Sequence, residues 1–386
     1  MSKSIEKIIA NTFLDMAAAL ETGSFGSAKI VLTGLGSEHG ESNMIEGAVM
    51  AASSGVDVTY IGTSEAPGVK TITTDCESTA HTLMEGLLDS GEADGAVTMH
   101  YAFPIGVSTV GRVLTPGKGK SMFIATTTGT SSTDRTSGMV LNTIYGIITA
   151  KACGVANPTV GILNVDGARQ VEMALRELSK NGYKINFASS GRADAGAVMR
   201  GNDLLSGACD VMVTDSLTGN ILIKTLSSFS TGGNYESLGW GYGPGIGEGF
   251  DKLVLILSRA SGAPVVAGAI EFAAKLVRGK YKDVAASEFA LAKKAKLSEI
   301  LKNIRDRNSA SSDNDKTVPS PPKEVVTAEI SGIEISDLDD AVLALWATNI
   351  YAQSGMGCTG PIILVNEAKL HQAESTLKTK GYIAQD

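Results

Sequence analysis

The residues best suited to bind an anion lie near the middle of the 386-residue chain, in residues 210–224. Residues 211–213 form an apolar run typical of a buried parallel strand, and small polar residues follow before a helical pattern. Such a turn directs backbone N–H groups outward at the positive end of a helix dipole, which favours phosphate. Many α/β proteins carry such turns without a ligand, so the turn alone leaves both interpretations open. The candidate phosphate-binding residues are Thr218, Gly219, Asn220 and Lys224.

A second candidate anion site is a run of hydroxyl side chains at residues 126–133, seven within eight residues. These hydroxyls could bind an anion or cap the helix predicted to start near Thr136, and we expect a mixture of both roles. Thr130 and Ser131 are the candidate phosphate-binding residues of this run. Arg135 follows directly and could bind phosphate through two parallel hydrogen bonds, with Arg192 as a further candidate cation.

An aromatic group follows the strand predicted at residues 94–100. His100, Tyr101 and Phe103 could form the pocket for an acyl group, or could simply pack in the core. His100 could also transfer a proton.

The candidate nucleophile is Cys358, in a turn that leads into an apolar strand. Gly355, Gly357 and Gly360 permit a backbone in which several N–H groups converge, which would stabilise a thiolate or the oxyanion of a thioester intermediate. The alternative is a small side chain packed in a tight turn. The other cysteines lie on helix or strand patterns and are predicted to pack in the core; they are Cys76, Cys153 and Cys209.

Composition limits the function classes. The net charge of −8 offers no electrostatic footprint for nucleic acid, and no apolar run is long enough to span a bilayer. The cysteines form no Cys-x-x-Cys pair and the four histidines are scattered, so we expect no metal site. Residues 1–10 lack the apolar core of a signal peptide, and a cytoplasmic protein with reduced thiols is predicted.

The elements that must position these residues are those of an α/β fold. Forty-four glycines and only 5% aromatic residues indicate close α/β packing. Residues 1–229 are predicted to form the core and residues 330–386 to return to it with the Cys358 turn. Residues 230–329 are predicted to be a helical insertion ending in a Pro/Ser-rich linker, with helices at 250–260, 268–277 and 285–305. Its aromatic residues could dock a partner or form a small satellite core; they are Trp240, Tyr242 and Phe250.

Residues 94–231 resemble the phosphate acyltransferases of fatty-acid synthesis and, more distantly, the phosphotransacetylases. The resemblance rests on an ordered series of motifs at residues 160–164, 183–187, 201–210, 218–220 and 222–225. It implies a two-lobed, Rossmann-like sheet sandwich, similar to isocitrate and isopropylmalate dehydrogenases, with a helical insertion. Residues 99–104 depart from the family, whose members carry a Ser/Gly/Asn/Thr-rich turn there. The departure suggests a rebuilt acyl-donor pocket.

With Cys358 in the motif Gly-Met-Gly-Cys-Thr-Gly-Pro, the chain more closely resembles the alpha subunits of component C of glycine, sarcosine and betaine reductases. That resemblance implies acetyl transfer from carboxymethylated selenoprotein A, through an acetyl thioester on Cys358, to inorganic phosphate. It also implies a thiolase-like beta subunit as partner, a homo- or hetero-oligomer, and no cofactor besides phosphate as substrate.

Three other functions remain as alternatives. A direct acyl-CoA phosphotransacetylase or phosphate acyltransferase would need no covalent intermediate, and a non-catalytic scaffold subunit would need neither Cys358 nor Asn220. A nicotinamide dehydrogenase of related architecture is disfavoured, because its paired acidic metal ligands are not evident in the sequence.

Overall fold

The computed structural model describes residues 27–191, 196–309, 318–333, 337–357 and 360–383, together with residues 13, 16 and 17. Short apolar runs form one twelve-stranded sheet with the order β3-β2-β1-β4-β12-β11-β5-β6-β10-β7-β8, and β9 also pairs with β7. The strands are β1 (Lys29–Thr33), β2 (Asp57–Gly62), β3 (Lys70–Thr73), β4 (Gly95–Thr98), β5 (Val107–Leu114), β6 (Ser121–Thr130), β7 (Thr159–Leu163), β8 (Asn186–Phe187), β9 (Val198–Met199), β10 (Val211–Val213), β11 (Gly243–Ile246) and β12 (Val254–Ile256).

The sheet has two halves whose strands run in opposite directions. Strands β1, β2, β3, β4 and β12 are parallel to one another, and so are β6, β7, β8, β9 and β10. Between them, β11 is antiparallel to β12 and β5, and β5 is antiparallel to β6. The predicted α/β, two-lobed fold is confirmed.

Helices cover both faces of this sheet, because successive strand residues point to opposite sides. In β1, Ile30 and Leu32 belong to one apolar cluster and Val31 to the other. The helices are α1 (Glu41–Ser53), α2 (Glu77–Asp89), α3 (Arg135–Ala152), α4 (Ala168–Lys180), α5 (Gly201–Ser206), α6 (Ser216–Ser228), α7 (Ala263–Arg278), α8 (Tyr281–Lys294), α9 (Leu297–Ser309), α10 (Leu338–Trp346) and α11 (Leu370–Lys380). Within the described part of the chain, no helix has the length and apolar character needed to cross a membrane.

The prediction of a helical insertion at residues 230–329 is wrong for residues 243–256, which contain β11 and β12, whereas the helices predicted at 268–277 and 285–305 overlap α7, α8 and α9. The helix predicted at residues 250–260 contains β12, which lies in the centre of the sheet, where Val254 pairs with Ala96. Three consecutive buried apolar residues suit a strand covered on both faces, a pattern that periodicity does not separate from a buried helix. Gly243 allows β11 to join β5, since a Cβ there would lie 1.8 Å from the Val110 carbonyl oxygen.

The aromatic residues of this segment pack inward rather than forming a free surface. Tyr242 is 3% exposed, and the Trp240 ring lies 4.1 Å from the Arg112 guanidinium. Phe250 joins the aromatic group formed with Tyr101 and Phe103. These contacts favour the packing interpretation. The Pro/Ser-rich linker was predicted at residues 307–324, of which residues 310–317 lie outside the described residues.

The C-terminal segment forms a separate antiparallel sheet instead of returning to the main one. Its strands are β13 (Ala328–Ser331), β14 (Ala352–Gly357) and β15 (Gly360–Val365), in the order β13-β15-β14. This sheet packs against α10 and α11 around its own apolar cluster, to which Ile330 of β13, Ala352 of β14 and Ile363 of β15 contribute. Pro104 forms a β-bridge with Gly355, and the Thr133 hydroxyl bonds the Asp339 carboxylate (3.0 Å), so both contacts fix the small sheet beside the main one.

Candidate active site

A cavity of about 600 Å³ lies at the carboxyl ends of β4 and β12. We call it the main cavity. The carboxyl edge of a parallel sheet is where α/β proteins commonly bind ligands, because strand ends and helix starts meet there. The described residues that line it are Glu38, Met99, His100, Tyr101, Phe103, Thr128, Gly129, Asn220, Lys224, Tyr242, Ile256, Leu257, Ser258, Arg259, Met356 and Gly357. The cavity therefore joins the predicted acyl pocket to Asn220 and Lys224.

One wall of the main cavity is aromatic. The rings of Tyr101 and Phe103 lie 4.9 Å apart, and Phe250 packs edge-on against Phe103 at 5.6 Å. Phe103 is 3% exposed and covers Gly245, where a Cβ would lie 2.3 Å from its ring. Burial, with a hydrogen bond to Glu85, raises the pKa of the Tyr101 phenol. Phe103 thus packs in the core and lines the cavity, which combines the two roles considered for it.

His100 is a half-buried imidazole at the rim of this wall. Burial lowers its pKa below 6.5, and the neighbouring His81 ring, 6.0 Å away, lowers it further. The carboxylates of Glu77 and Glu329 raise this pKa, and the Arg259 cation lowers it. The net lowering keeps the imidazole neutral at pH 7, the form that accepts a proton.

The polar wall is formed by α6 and the loop after β12. The Asn220 amide donates a hydrogen bond to the Thr127 carbonyl oxygen (3.1 Å). The Lys224 ammonium lies 5.6 Å from the centre of the Tyr242 ring. Arg259 faces the same space, and Glu38 donates its backbone N–H to the Arg259 carbonyl oxygen (2.9 Å).

A bulge in β6 explains the arrangement of the hydroxyl run. Ser108 pairs with Gly129 and Val110 with Ala125, so three threonines of β6 lie outside the regular ladder. Two of them bond the protein itself: the Thr126 hydroxyl donates to the Thr109 carbonyl oxygen (2.5 Å) and the Thr127 hydroxyl to that of Tyr242 (2.7 Å). These hydroxyls hold the bulge. Thr128 is the one that lines the main cavity.

Three further predicted phosphate residues, Thr130, Ser131 and Arg135, line a second, smaller cavity of about 190 Å³ between the starts of α3 and α6. Thr218 and Gly219 are not among the described residues that line either cavity. Ser131 there bonds the Gly138 carbonyl oxygen (3.0 Å) and the Asn142 side chain (2.7 Å). The Thr130 hydroxyl is buried and has no partner among the described residues. Gly129 lines both cavities.

Arg135 forms two ion pairs at this second cavity. Its guanidinium lies 3.1 Å from an Asp215 carboxylate oxygen and 3.5 Å from one of Asp166. Burial would raise the pKa of Asp215, but hydrogen bonds from Thr218 and the Arg135 cation outweigh it, so that pKa is lowered. Arg135 therefore neutralises carboxylates, whereas Arg192 lies outside the described residues.

The α6 turn is capped by its own side chain. The Asp215 carboxylate accepts hydrogen bonds from the Thr218 N–H (3.0 Å) and hydroxyl (2.7 Å). Gly219 uses its N–H in a bond to the Asp215 carbonyl oxygen (3.0 Å), and a Cβ at Gly219 would lie 1.6 Å from the Thr126 oxygen. These two residues position α6 against the β6 bulge. They bring Asn220 and Lys224 to the main cavity.

Cys358 lies outside the described residues, but Gly357, which precedes it in the sequence, lines the main cavity.

Cys153 and Cys209 are buried as predicted, and burial raises their pKa values to about 11 and about 12. The prediction that Cys76 packs in the core is wrong, because it is exposed at the start of α2. Hydrogen bonds from Ser78 and Thr79 lower its pKa to about 7. Among the described residues, no group of acidic, histidine or cysteine side chains is arranged to hold a metal ion.

The sequence did not indicate two of the functional candidates, Arg259 and Glu38. Both follow strands whose carboxyl ends meet at the main cavity. Arg259 lies in a segment that was predicted to be helical, so the sequence did not indicate that it follows a strand. A strand assignment for residues 254–256 would have pointed to it, because the loop after a central parallel strand is where ligand contacts concentrate.

Comparisons with known proteins assign this chain to a family. The profile of the fatty acid synthesis protein family matches residues 28–364. The chain is 57% identical over 384 residues to a glycine/sarcosine/betaine reductase complex component C subunit alpha from Peptoclostridium acidaminophilum, covering 98% of this chain and 99% of that protein. A phosphate acyltransferase from Phenylobacterium zucineum is 34% identical over 104 residues, 23% of this chain and 27% of that protein.

A solved structure, that of a branched-chain phosphotransacylase from Enterococcus faecalis V583, aligns with 64% of this chain and 98% of that chain. Its TM-score is 0.45 at 16% sequence identity. The family profile and the component C relative cover more of this chain. The chain belongs to the fatty acid synthesis protein family and, within it, to the group of component C alpha subunits of the glycine/sarcosine/betaine reductase complex.

Proposed function

We propose that this protein transfers an acetyl group from a thioester on Cys358 to inorganic phosphate and forms acetyl phosphate. The observation that carries the proposal is the main cavity. It joins an aromatic wall, the Asn220 amide and the Lys224 ammonium to Gly357, the residue before Cys358. Membership of the component C group supports a role in a reductase complex. We propose carboxymethylated selenoprotein A as the acetyl source and the beta subunit as the partner.

The chemistry needs one displacement at the thioester carbonyl. A phosphate oxygen attacks the carbonyl carbon, the new C–O bond forms, and the C–S bond breaks with its electron pair on the Cys358 sulfur. The proton of hydrogen phosphate ends on the released thiolate. Neutral His100, at the rim of the same cavity, is suited to carry that proton. Phosphate is already a nucleophile, so the protein mainly supplies positioning and neutralisation of charge.

The direct test is intact-mass analysis of the wild-type protein and Cys358→Ser after incubation with acetyl phosphate in phosphate-free buffer. We expect one acetyl group on the wild type, mapped to Cys358 and removed by added phosphate or arsenate. The C358S variant should remain unmodified and lose at least about 100-fold in transfer rate, because the nucleophile is gone.

Cys76→Ser is the matched control. Cys76 is exposed and its pKa is about 7, so it is the described thiol most open to nonspecific acetylation. The C76S variant should be acetylated and active like the wild type. Undiminished transfer by C358S would instead indicate direct transfer from an acyl-CoA, and an inactive wild type with no adduct would indicate a scaffold subunit.

A further inference from the structure

Arg259 is held at the main cavity by a rigid loop. Its carbonyl oxygen accepts the Glu38 N–H at 2.9 Å, and the Ser261 hydroxyl accepts the Ser258 N–H at 3.2 Å. The same Ser261 hydroxyl donates to the Glu236 carboxylate, which is 3% exposed (2.9 Å). These contacts fix the loop after β12, so the Arg259 backbone has one position relative to the cavity.

The charges around the two cavities differ. Arg135 of the second cavity forms ion pairs with two aspartates. Among the described residues, neither Arg259 nor Lys224 forms an ion pair. Glu38 is the one carboxylate among the described residues that line the main cavity. Two cations against one carboxylate leave a net positive charge there, and an anionic ligand would compensate it.

We infer that Arg259, together with Lys224, binds the anionic acyl acceptor in the main cavity, and that Arg135 does not. This inference rests on the proposed function for the identity of the acceptor as phosphate. The planar guanidinium can bind two phosphate oxygens at once, and the Lys224 ammonium adds a charge from α6. The Asn220 amide, already fixed by the Thr127 carbonyl oxygen, borders the same space.

Arg259 should also influence which acceptor attacks the thioester. Water competes with phosphate for a thioester, but it gains nothing from two cations. Loss of Arg259 should therefore favour hydrolysis over transfer to phosphate. This partition between acetate and acetyl phosphate is a property that a merely structural role of Arg259 would not change.

The test measures phosphate binding directly, by calorimetric titration of the wild type with inorganic phosphate, next to steady-state kinetics. Arg259→Gln should weaken phosphate binding and raise the phosphate KM by about 10- to 100-fold, because a hydrogen bond to a charged group is lost. Arg259→Lys should recover part of the affinity, since it restores the charge without the two-pronged geometry. Arg169→Gln removes an exposed arginine of α4 paired with Glu172 and should change nothing.

Arg135→Gln decides between the two cavities. If phosphate affinity falls in R135Q and is unchanged in a folded R259Q, the inference is wrong and the second cavity holds the acceptor. Failure of the proposed function is recognised separately. In that case the wild type binds phosphate, R259Q does not, and neither protein forms acetyl phosphate. This result would support the anion site and contradict the proposed reaction.

Discussion

At the scale of single residues, the protonation of His100 depends on its burial and on the charges around it. Burial and the neighbouring His81 lower its pKa, Arg259 acts in the same direction, and Glu77 and Glu329 oppose them. Because the net shift is downward, the folded protein binds the proton less readily than the unfolded chain does. His100 is consequently a base that remains available in mildly acidic solution.

This shift predicts how stability depends on pH. Below pH 6.5 the unfolded chain takes up a proton at this position before the folded protein does, so the free energy of unfolding falls as the pH falls towards the lowered pKa. The decrease between pH 7.5 and 5.5, measured by urea denaturation, should be smaller in His100→Gln than in the wild type. The H100Q variant should also lose about 100-fold in transfer rate at pH 7 if the imidazole carries the proton.

His371→Gln is the control, because His371 is exposed on α11. It should have the pH dependence of the wild type. An H100Q curve that coincides with the wild-type curve would show that His100 titrates alike in the folded and unfolded chain.

Residue types and spacing predicted several residues of the candidate site but not which of them lie together. His100, Tyr101, Phe103, Asn220 and Lys224 were predicted as two groups, and the structure places them around one cavity. The role of Cys358 stays a prediction. Arg135 was a reasonable phosphate ligand by type, but its two aspartate partners come from distant parts of the chain. Such pairing depends on tertiary structure, which local sequence does not contain.

At the scale of elements, the position of α6 depends on a close approach between two backbones. Gly219 lies against the β6 bulge, where a Cβ would lie 1.6 Å from the Thr126 carbonyl oxygen. Any larger residue would push α6 away from β6. Asn220 and Lys224 would then leave the main cavity together.

Two helical glycines therefore respond in opposite ways to the same substitution. Gly219→Ala should destabilise the protein by about 1–3 kcal/mol or more, because the added methyl group overlaps backbone that cannot yield. Gly86→Ala on α2, where nothing lies within 4 Å of a Cβ, should stabilise it by up to about 1 kcal/mol through helix propensity. Chemical denaturation of both variants checks the signs. An equally stable G219A would show that the approach of α6 is not required.

Elements were predictable where their pattern is local. The strand predicted at residues 94–100 contains β4, and the apolar run and helical pattern in residues 210–224 correctly indicated β10 and α6. The helix predicted over β12 was wrong because a buried central strand and a buried helix share the same apolar run. What decides between them is the neighbouring strand β4, far away in the sequence.

At the scale of the whole molecule, the small C-terminal sheet has its own apolar cluster yet completes the main cavity through Met356 and Gly357. Ile105, from the loop before β5, packs against that cluster and connects it to the main sheet. The shape of the main cavity therefore depends on this contact.

Ile105→Ala should loosen the small sheet without unfolding the core. We expect a loss of about 1–2 kcal/mol, below the range for a fully buried isoleucine, because Ile105 is half-buried. Hydrogen exchange should accelerate in β13, β14 and β15 and remain slow in β4 and β12. Ile45→Ala, a partly buried isoleucine of α1 packed against the main core, should show the reverse pattern. Uniform acceleration in I105A would mean that both sheets unfold together.

The crossing of the chain from β4 to β12 also fixes an order of events during synthesis. Residues 121–213 contain β6, β7 and β10, so these strands can pair soon after they leave the ribosome. In contrast, this edge of β4 stays unpaired until residues 254–256 have been synthesised. A nascent chain exposes that apolar edge while the intervening residues are made, which is the period of greatest risk of aggregation. Chaperone binding to stalled chains should therefore decline once β12 has been translated.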